Sequence, residues 1–124
     1  MNPEDAHAGD TDELVHLCSR DEWQAARRDG VRVPDTFATD RFVHLSAPAQ
    51  VHLPANRLFA GRTDLVLLRV DPAALGAPVK WEAGVPADPT SMRFPHLYGP
   101  LPMSAVTAVD HYLPDEDGYF PALP

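Results

Sequence analysis

Arg41-Phe42-Val43-His44-Leu45-Ser46-Ala47-Pro48-Ala49-Gln50-Val51 puts a strand, a helix start and two reactive side chains into one short stretch, and the rest of the chain is read outward from it. Phe42 to Leu45 alternates with a period of two, so Val43 and Leu45 take one face of a strand while Phe42 and His44 take the other. One imidazole therefore leaves the sheet beside an aromatic ring. Pro48 has no N–H for a ladder but is tolerated in the first turn of a helix, so the strand stops at Ser46, which is expected to be a helix N-cap. Such a helix start carries partial positive charge and unpaired N–H groups that suit an anionic or carbonyl oxygen. A capped helix behind a strand with a half-buried histidine is the structural alternative, and on this stretch alone the two stand level.

The chain has 124 residues, 44% hydrophobic and 23% charged, which is the profile of one soluble globular domain with a single core. Residues 1–12 are expected to form a disordered acidic tail and residues 13–124 a single α+β domain. No apolar run approaches the roughly 18 residues of a membrane span, so no membrane partner is expected. Met1 to Asp10 lacks the basic and apolar regions of a signal peptide, and the lone Cys18 agrees with a reducing compartment. A cytoplasmic protein, monomeric or weakly oligomeric by default, is the expectation. The net charge of −8 argues against binding a nucleic-acid backbone. It leaves room for a small anionic ligand held by a few local arginines.

Leu14 to Leu17 reads as a strand that stops at Ser19, and Ser19-Arg20-Asp21-Glu22 matches the capping box of a helix. Trp23, Ala26 and the stem of Arg27 share its inner face, and Gly30 supplies a left-handed stop. Val31-Arg32-Val33 is a short strand followed by a polar loop. A second helix would bury Val51, Ala55, Leu58 and Phe59, with Pro54 forcing a kink or break near His52 and Leu53. Asp64 to Val70 is the longest apolar run and reads as a strand buried on both faces. Val79-Lys80-Trp81-Glu82, Phe94-Pro95-His96-Leu97-Tyr98-Gly99-Pro100 and Ala105 to Tyr112 complete a mainly β second half, after which Tyr119 and Phe120 dock. The order favours a small, mostly antiparallel α+β sheet domain with two main helices.

His16, His44 and His96 all fall in or beside strand-like segments. Imidazole can serve as base, ligand contact or metal ligand, although a satisfied structural role is the commoner fate of any one of them. Glu82 adds a carboxylate that could orient a histidine or stabilise a developing cation, or it is simply a solvated edge-strand acid. None of these residues has the short spacing of a metal site, so no metal is expected. Cys18 and Ser46 each follow a strand histidine by two residues but lack a nucleophile-elbow or cysteine-protease signature. There is no dinucleotide or phosphate-loop glycine motif.

Val15-His16-Leu17 with Trp23 and Gly30, Arg41 to Ser46 with Gln50-Val51 and Ala55-Asn56-Arg57, Val79 to Glu82, Phe94 to Pro100, and Asp117-Gly118-Tyr119-Phe120 together resemble the bacterial domain-of-unknown-function family numbered 952. The likeness runs from about Leu14 to Phe120. That family is similar in fold to the ADP-ribosyltransferase superfamily, whose split antiparallel sheet clamps NAD. The resemblance implies that His16 contacts the nicotinamide-side ribose or phosphate, that His44 and Ser46 close the pocket, and that Glu82 assists departure of nicotinamide. Asn56, Arg57, His96 and Tyr98 are implied ligand contacts. Ala47 replaces a usual threonine and Pro54 interrupts the helix. The resulting expectation is an NAD-utilising transferase or glycohydrolase-like enzyme. A non-catalytic small-ligand or nucleotide-binding domain is the alternative, and a metal-dependent hydrolase on His16, His44 and His96 stands third.

Overall fold

The computed structural model describes residues 13–85 and 90–123, so the expected acidic tail over residues 1–12 lies outside the described residues. β1 (Leu14–Ser19) runs straight into α1 (Arg20–Asp29). The junction is the predicted capping box: Ser19 Oγ accepts from the Glu22 N–H at 3.1 Å and Glu22 Oε1 accepts from the Ser19 N–H at 2.8 Å. Gly30 closes the helix in the left-handed region, φ 81°. β2 (Val31–Arg32) and a four-residue helix, α2 (Phe37–Asp40), follow. A polar loop was expected where α2 lies. A helix this short shows no 3.6-residue periodicity, and Phe37 gains burial only by packing on the core.

β3 (Val43–His44) keeps the expected alternation, with Val43 and Leu45 buried and His44 on the other side. Ser46, however, is not a helix cap. Its backbone pairs with β1, donating to the Val15 carbonyl at 2.9 Å and accepting from the Val15 N–H at 2.8 Å. The chain then makes a 3₁₀ turn (Pro48–Gln50), whose capping oxygen is Gln50 Oε1 on the Ala47 N–H, 3.0 Å. Winding changes to α at Val51, and α3 (His52–Phe59) has Pro54 as its third residue, where the missing N–H lies within the first turn. Val51 and Ala55 are buried as expected, but Leu58, expected on the same inner face, is 61% exposed.

β4 (Leu65–Val70) is the centre of an antiparallel sheet, β1-β4-β8, where β8 is Val106–His111. Both its faces are covered. Val66, Leu68 and Val70 join Leu14, Cys18, Val43, Leu45, Leu97 and Leu101, while Leu65 and Leu67 join Val15, Val51, Ala55, Tyr112 and Phe120. The expected single core is thus two apolar clusters, one on each face of the same sheet. β5 (Val79–Ala83), β6 (Arg93–Leu97) and β3 form a second antiparallel sheet in the order β3-β6-β5, and β7 (Leu101–Pro102) pairs with β2. The architecture is therefore α+β with antiparallel pairing throughout the described residues. No described helix is long and apolar enough to cross a membrane. Phe120 docks into the second cluster, whereas Tyr119, also expected to dock, is exposed.

Arg41 ends α2 with φ 67°, the one non-glycine residue in the left-handed region among the described residues. A branched Cβ fits there poorly. Arg41→Val should cost about 1–2 kcal/mol in urea denaturation, while Arg41→Gly should stay within about 1 kcal/mol of the parent. Equal losses for the two would mean the Arg41 side chain, rather than its backbone, matters.

Candidate functional site

Where the two three-stranded sheets part, a cleft of about 380 Å³ opens, lined by His16 from β1, Arg32 from β2, His44 and Ser46 from the β3 segment, Arg57 from α3 and His96 from β6. Five of the eight expected residues thus meet: His16, His44, Ser46, Arg57 and His96. The other three do not line it. Glu82 and Tyr98 stand behind His96, and Asn56 is spent on the chain's C-terminal segment. Its Nδ2 donates to the Phe120 carbonyl at 2.9 Å and its Oδ1 accepts from the Phe120 N–H at 2.6 Å. Asn56, expected to touch a ligand, therefore has its amide engaged in structure.

His16 is buried with both ring nitrogens engaged. Nδ1–H donates to the His44 carbonyl at 2.8 Å, which leaves Nε2 as a lone pair accepting from Arg32 Nε at 3.2 Å. Burial pushes its pKa down to about 4, against the raising effect of the His44 carbonyl, with Arg32 lowering it further. The imidazole is neutral at pH 7. Arg32, whose side chain is 12% exposed, also reaches Glu22 Oε2 at 3.3 Å. Burial alone would raise the Glu22 carboxyl, but the Ser19 N–H and Arg32 outweigh it and hold it below the ordinary range.

Arg32 was not singled out from the sequence. Its signal was a lone guanidinium between Val31 and Val33, which reads equally well as a solvated edge residue. Arg62 also lines the cleft but is forked onto Asp64 at 2.9 and 2.6 Å. Arg57 has no hydrogen-bond partner or ion pair among the described residues, so its charge is open to a ligand.

His96 is 5% exposed and stacks on Phe42 with ring centroids 3.9 Å apart. Its Nδ1 lies 2.9 Å from Glu82 Oε1, the same oxygen that accepts from the Tyr98 hydroxyl. The Tyr98 bond, with His96 and Lys80 assisting, holds Glu82 ionised below the usual carboxylate range. Burial lowers the His96 pKa, partly offset by Glu82. His44 is the open histidine, its side chain 58% exposed, with Nε2 2.9 Å from Asp40 Oδ2. The Ser46 hydroxyl, in a residue 6% exposed, has no hydrogen-bond partner among the described residues. Burial pushes the Cys18 thiol up to about 11, an inert neighbour. The described residues contain no group of three His, Cys, Asp or Glu placed to hold a metal ion.

The model of the family described as "Protein of unknown function (DUF952)" matches residues 17–109. The X-ray crystal structure of protein CC0527 from Caulobacter crescentus is similar at 38% identity and a TM-score of 0.76, covering 88% of this chain and 93% of that chain. The solution NMR structure of CC0527 is similar at 38% identity and a TM-score of 0.74, covering 88% and 91% respectively. No curated protein matches the chain.

The lowered pKa of His16 sets a pH window. The unfolded chain takes up this proton near pH 6.5 and the folded one only near 4, so stability is complete above 6.5 and falls as pH drops towards 4. The loss should approach roughly 3 kcal/mol. His16→Gln should be less stable at pH 7 and show a flatter decline between pH 6.5 and 4.5, read by urea denaturation. An unchanged slope would mean that His16 titrates normally in the folded protein.

Proposed function

The chain belongs to the DUF952 family, a family of unknown function, and from that premise we propose that its cleft binds NAD in an ADP-ribosyltransferase-like clamp between the split sheets. The observation that carries this reading is the convergence of the Arg57 guanidinium and the Ser46 hydroxyl, both without partners among the described residues, with part-buried Arg32 and the open His44 in one cleft. Two guanidiniums suit a pyrophosphate, whose oxygens accept paired N–H donors. A volume of about 380 Å³ is in the range of small-molecule sites. In this reading Arg32, held by His16, makes the phosphate contact that the resemblance assigns to His16. Ser46 and His44 meet the ribose. A cytoplasmic location belongs to the same reading, in keeping with a buried Cys18 that forms no disulfide.

The reaction is heterolysis of the bond from ribose C1′ to nicotinamide. The electron pair leaves with nicotinamide, and a hydroxyl acceptor or water adds at C1′ and gives up its proton. One observation favours the alternative of binding without turnover: Glu82, the carboxylate implied in nicotinamide departure, is turned onto His96 and Tyr98 rather than into the cleft.

Titration with NAD separates these. A tenfold excess over Kd should stabilise the protein by about 1.4 kcal/mol, raising Tm by roughly 4–8 °C. Arg57→Ala, on an exposed helix position, should abolish that rise while its ligand-free Tm stays near the parent value. Nicotinamide released by the wild type, quantified chromatographically, identifies the enzyme, and a Tm rise without release identifies the binding domain. No Tm rise at millimolar NAD overturns the proposal.

A further inference from the structure

His96 and Ser46 share one side of the joint between the sheets. His44 is paired directly with His96 in the β3-β6 register, and Ser46 follows His44 by two residues, so all three side chains belong to one face and all line the cleft. His96 cannot turn freely. Phe42 stacks on its ring at 3.9 Å, His44 meets it edge-on at 5.5 Å, and Glu82 Oε1 binds Nδ1 at 2.9 Å.

The tautomer follows from the partners. Glu82 Oε1 already accepts from the Tyr98 hydroxyl, and a carboxylate oxygen with two donors is an acceptor of both, so the His96 proton sits on Nδ1. Nε2 is then a lone pair, and it has no hydrogen-bond partner among the described residues. The contrast with His16 is sharp, since its Nε2 is covered by Arg32.

We propose that His96 is the general base of the cleft, with Nε2 taking the proton of the water or hydroxyl group that attacks the substrate, and that Glu82 and Tyr98 are positioning residues that fix the ring tautomer. This rests on reading the cleft as an NAD site. As the C1′ to nicotinamide bond breaks, the pair of electrons leaves with nicotinamide and the oxygen of the acceptor bonds to C1′. Its proton passes to Nε2. The imidazolium so formed faces the Glu82 carboxylate and later releases the proton to solvent. Glu82 therefore serves the attack of the acceptor without touching the sugar, which explains a carboxylate placed one ring away from the cleft.

The test combines a spectrum with kinetics. Nitrogen-15 imidazole spectra of the wild type at pH 7 should show His96 protonated on Nδ1 and bare on Nε2. Glu82→Gln, at a half-exposed side chain that tolerates substitution, and His96→Asn should each lower kcat for nicotinamide release by about 100-fold or more. NAD affinity, read by the Tm rise, should stay within threefold. If His96→Asn fails to fold, the Glu82→Gln kinetics and the wild-type spectrum still decide. Turnover by a wild type whose Nε2 carries the proton overturns the base while leaving the NAD site standing. Undiminished kcat in Glu82→Gln does the same, as does a loss of affinity equal to the loss of rate. A wild type that neither binds NAD nor releases nicotinamide overturns both readings.

Discussion

The hydrogen bonds between the β1 backbone and the segment around His44 and Ser46 join the two three-stranded sheets. Val43 and His44 pair with β6, and Ser46, two residues on, pairs reciprocally with Val15 of β1. The same short segment is therefore an edge of both sheets. His16 adds a third tie through its Nδ1–H to the His44 carbonyl. These groups are withdrawn from water, where an unpaired backbone N–H or carbonyl costs about 1–3 kcal/mol, so the joint tolerates no slip in register. The cleft opens beside this joint. His16, His44 and Ser46 line that space.

Electrostatics at the cleft differ from those of the chain as a whole. A protein of net charge −8 presents Arg32, Arg57 and Arg62 to one concavity. Arg62 is neutralised by Asp64 and Arg32 is shared between Glu22 and His16. Arg32 can lie against His16 only because the imidazole is neutral, since two cations at 3.2 Å in a buried site would repel strongly. Burial, which lowers the His16 pKa, is thus what permits the guanidinium to be there. The capping box is tied into the same chain of contacts: Glu22 caps Ser19 with one oxygen and holds Arg32 with the other. A helix start and the cleft share one carboxylate.

Features governed by neighbours a few residues away were legible in the sequence. The Ser19 to Glu22 capping box, the Gly30 stop, the alternation from Phe42 to Leu45 and the doubly buried β4 run all depend on local spacing or on a solid block of apolar residues. Ser46 was misread because its role is set by Val15, and a bridge between distant segments leaves no periodic trace. Pro48, which suggested a helix start, began a 3₁₀ turn instead, and Leu58, placed on the inner face by its spacing, is exposed. Asn56 and Glu82 show the same limit. Asn56 finds the Phe120 backbone 64 residues away and Glu82 finds His96 across a strand pair, so residue type suggested polarity of purpose but not direction. Arg32 carried no local mark at all, because what makes it a cleft residue is an imidazole and a carboxylate from two other elements.

His16 and His96 have much in common. Both are buried, both have a pKa lowered first by burial, and both have a ring proton placed on Nδ1 by an oxygen acceptor. A sequence cannot distinguish them, and neither can burial or tautomer. What separates them is the environment of the remaining nitrogen. At His16 the Nε2 lone pair is occupied by a guanidinium, so protonating it means breaking that bond and setting two cations together. At His96 it meets no donor among the described residues, and the Glu82 carboxylate behind the ring can balance a positive charge when a proton arrives. Equal burial therefore yields a strut in one case and a proton acceptor in the other.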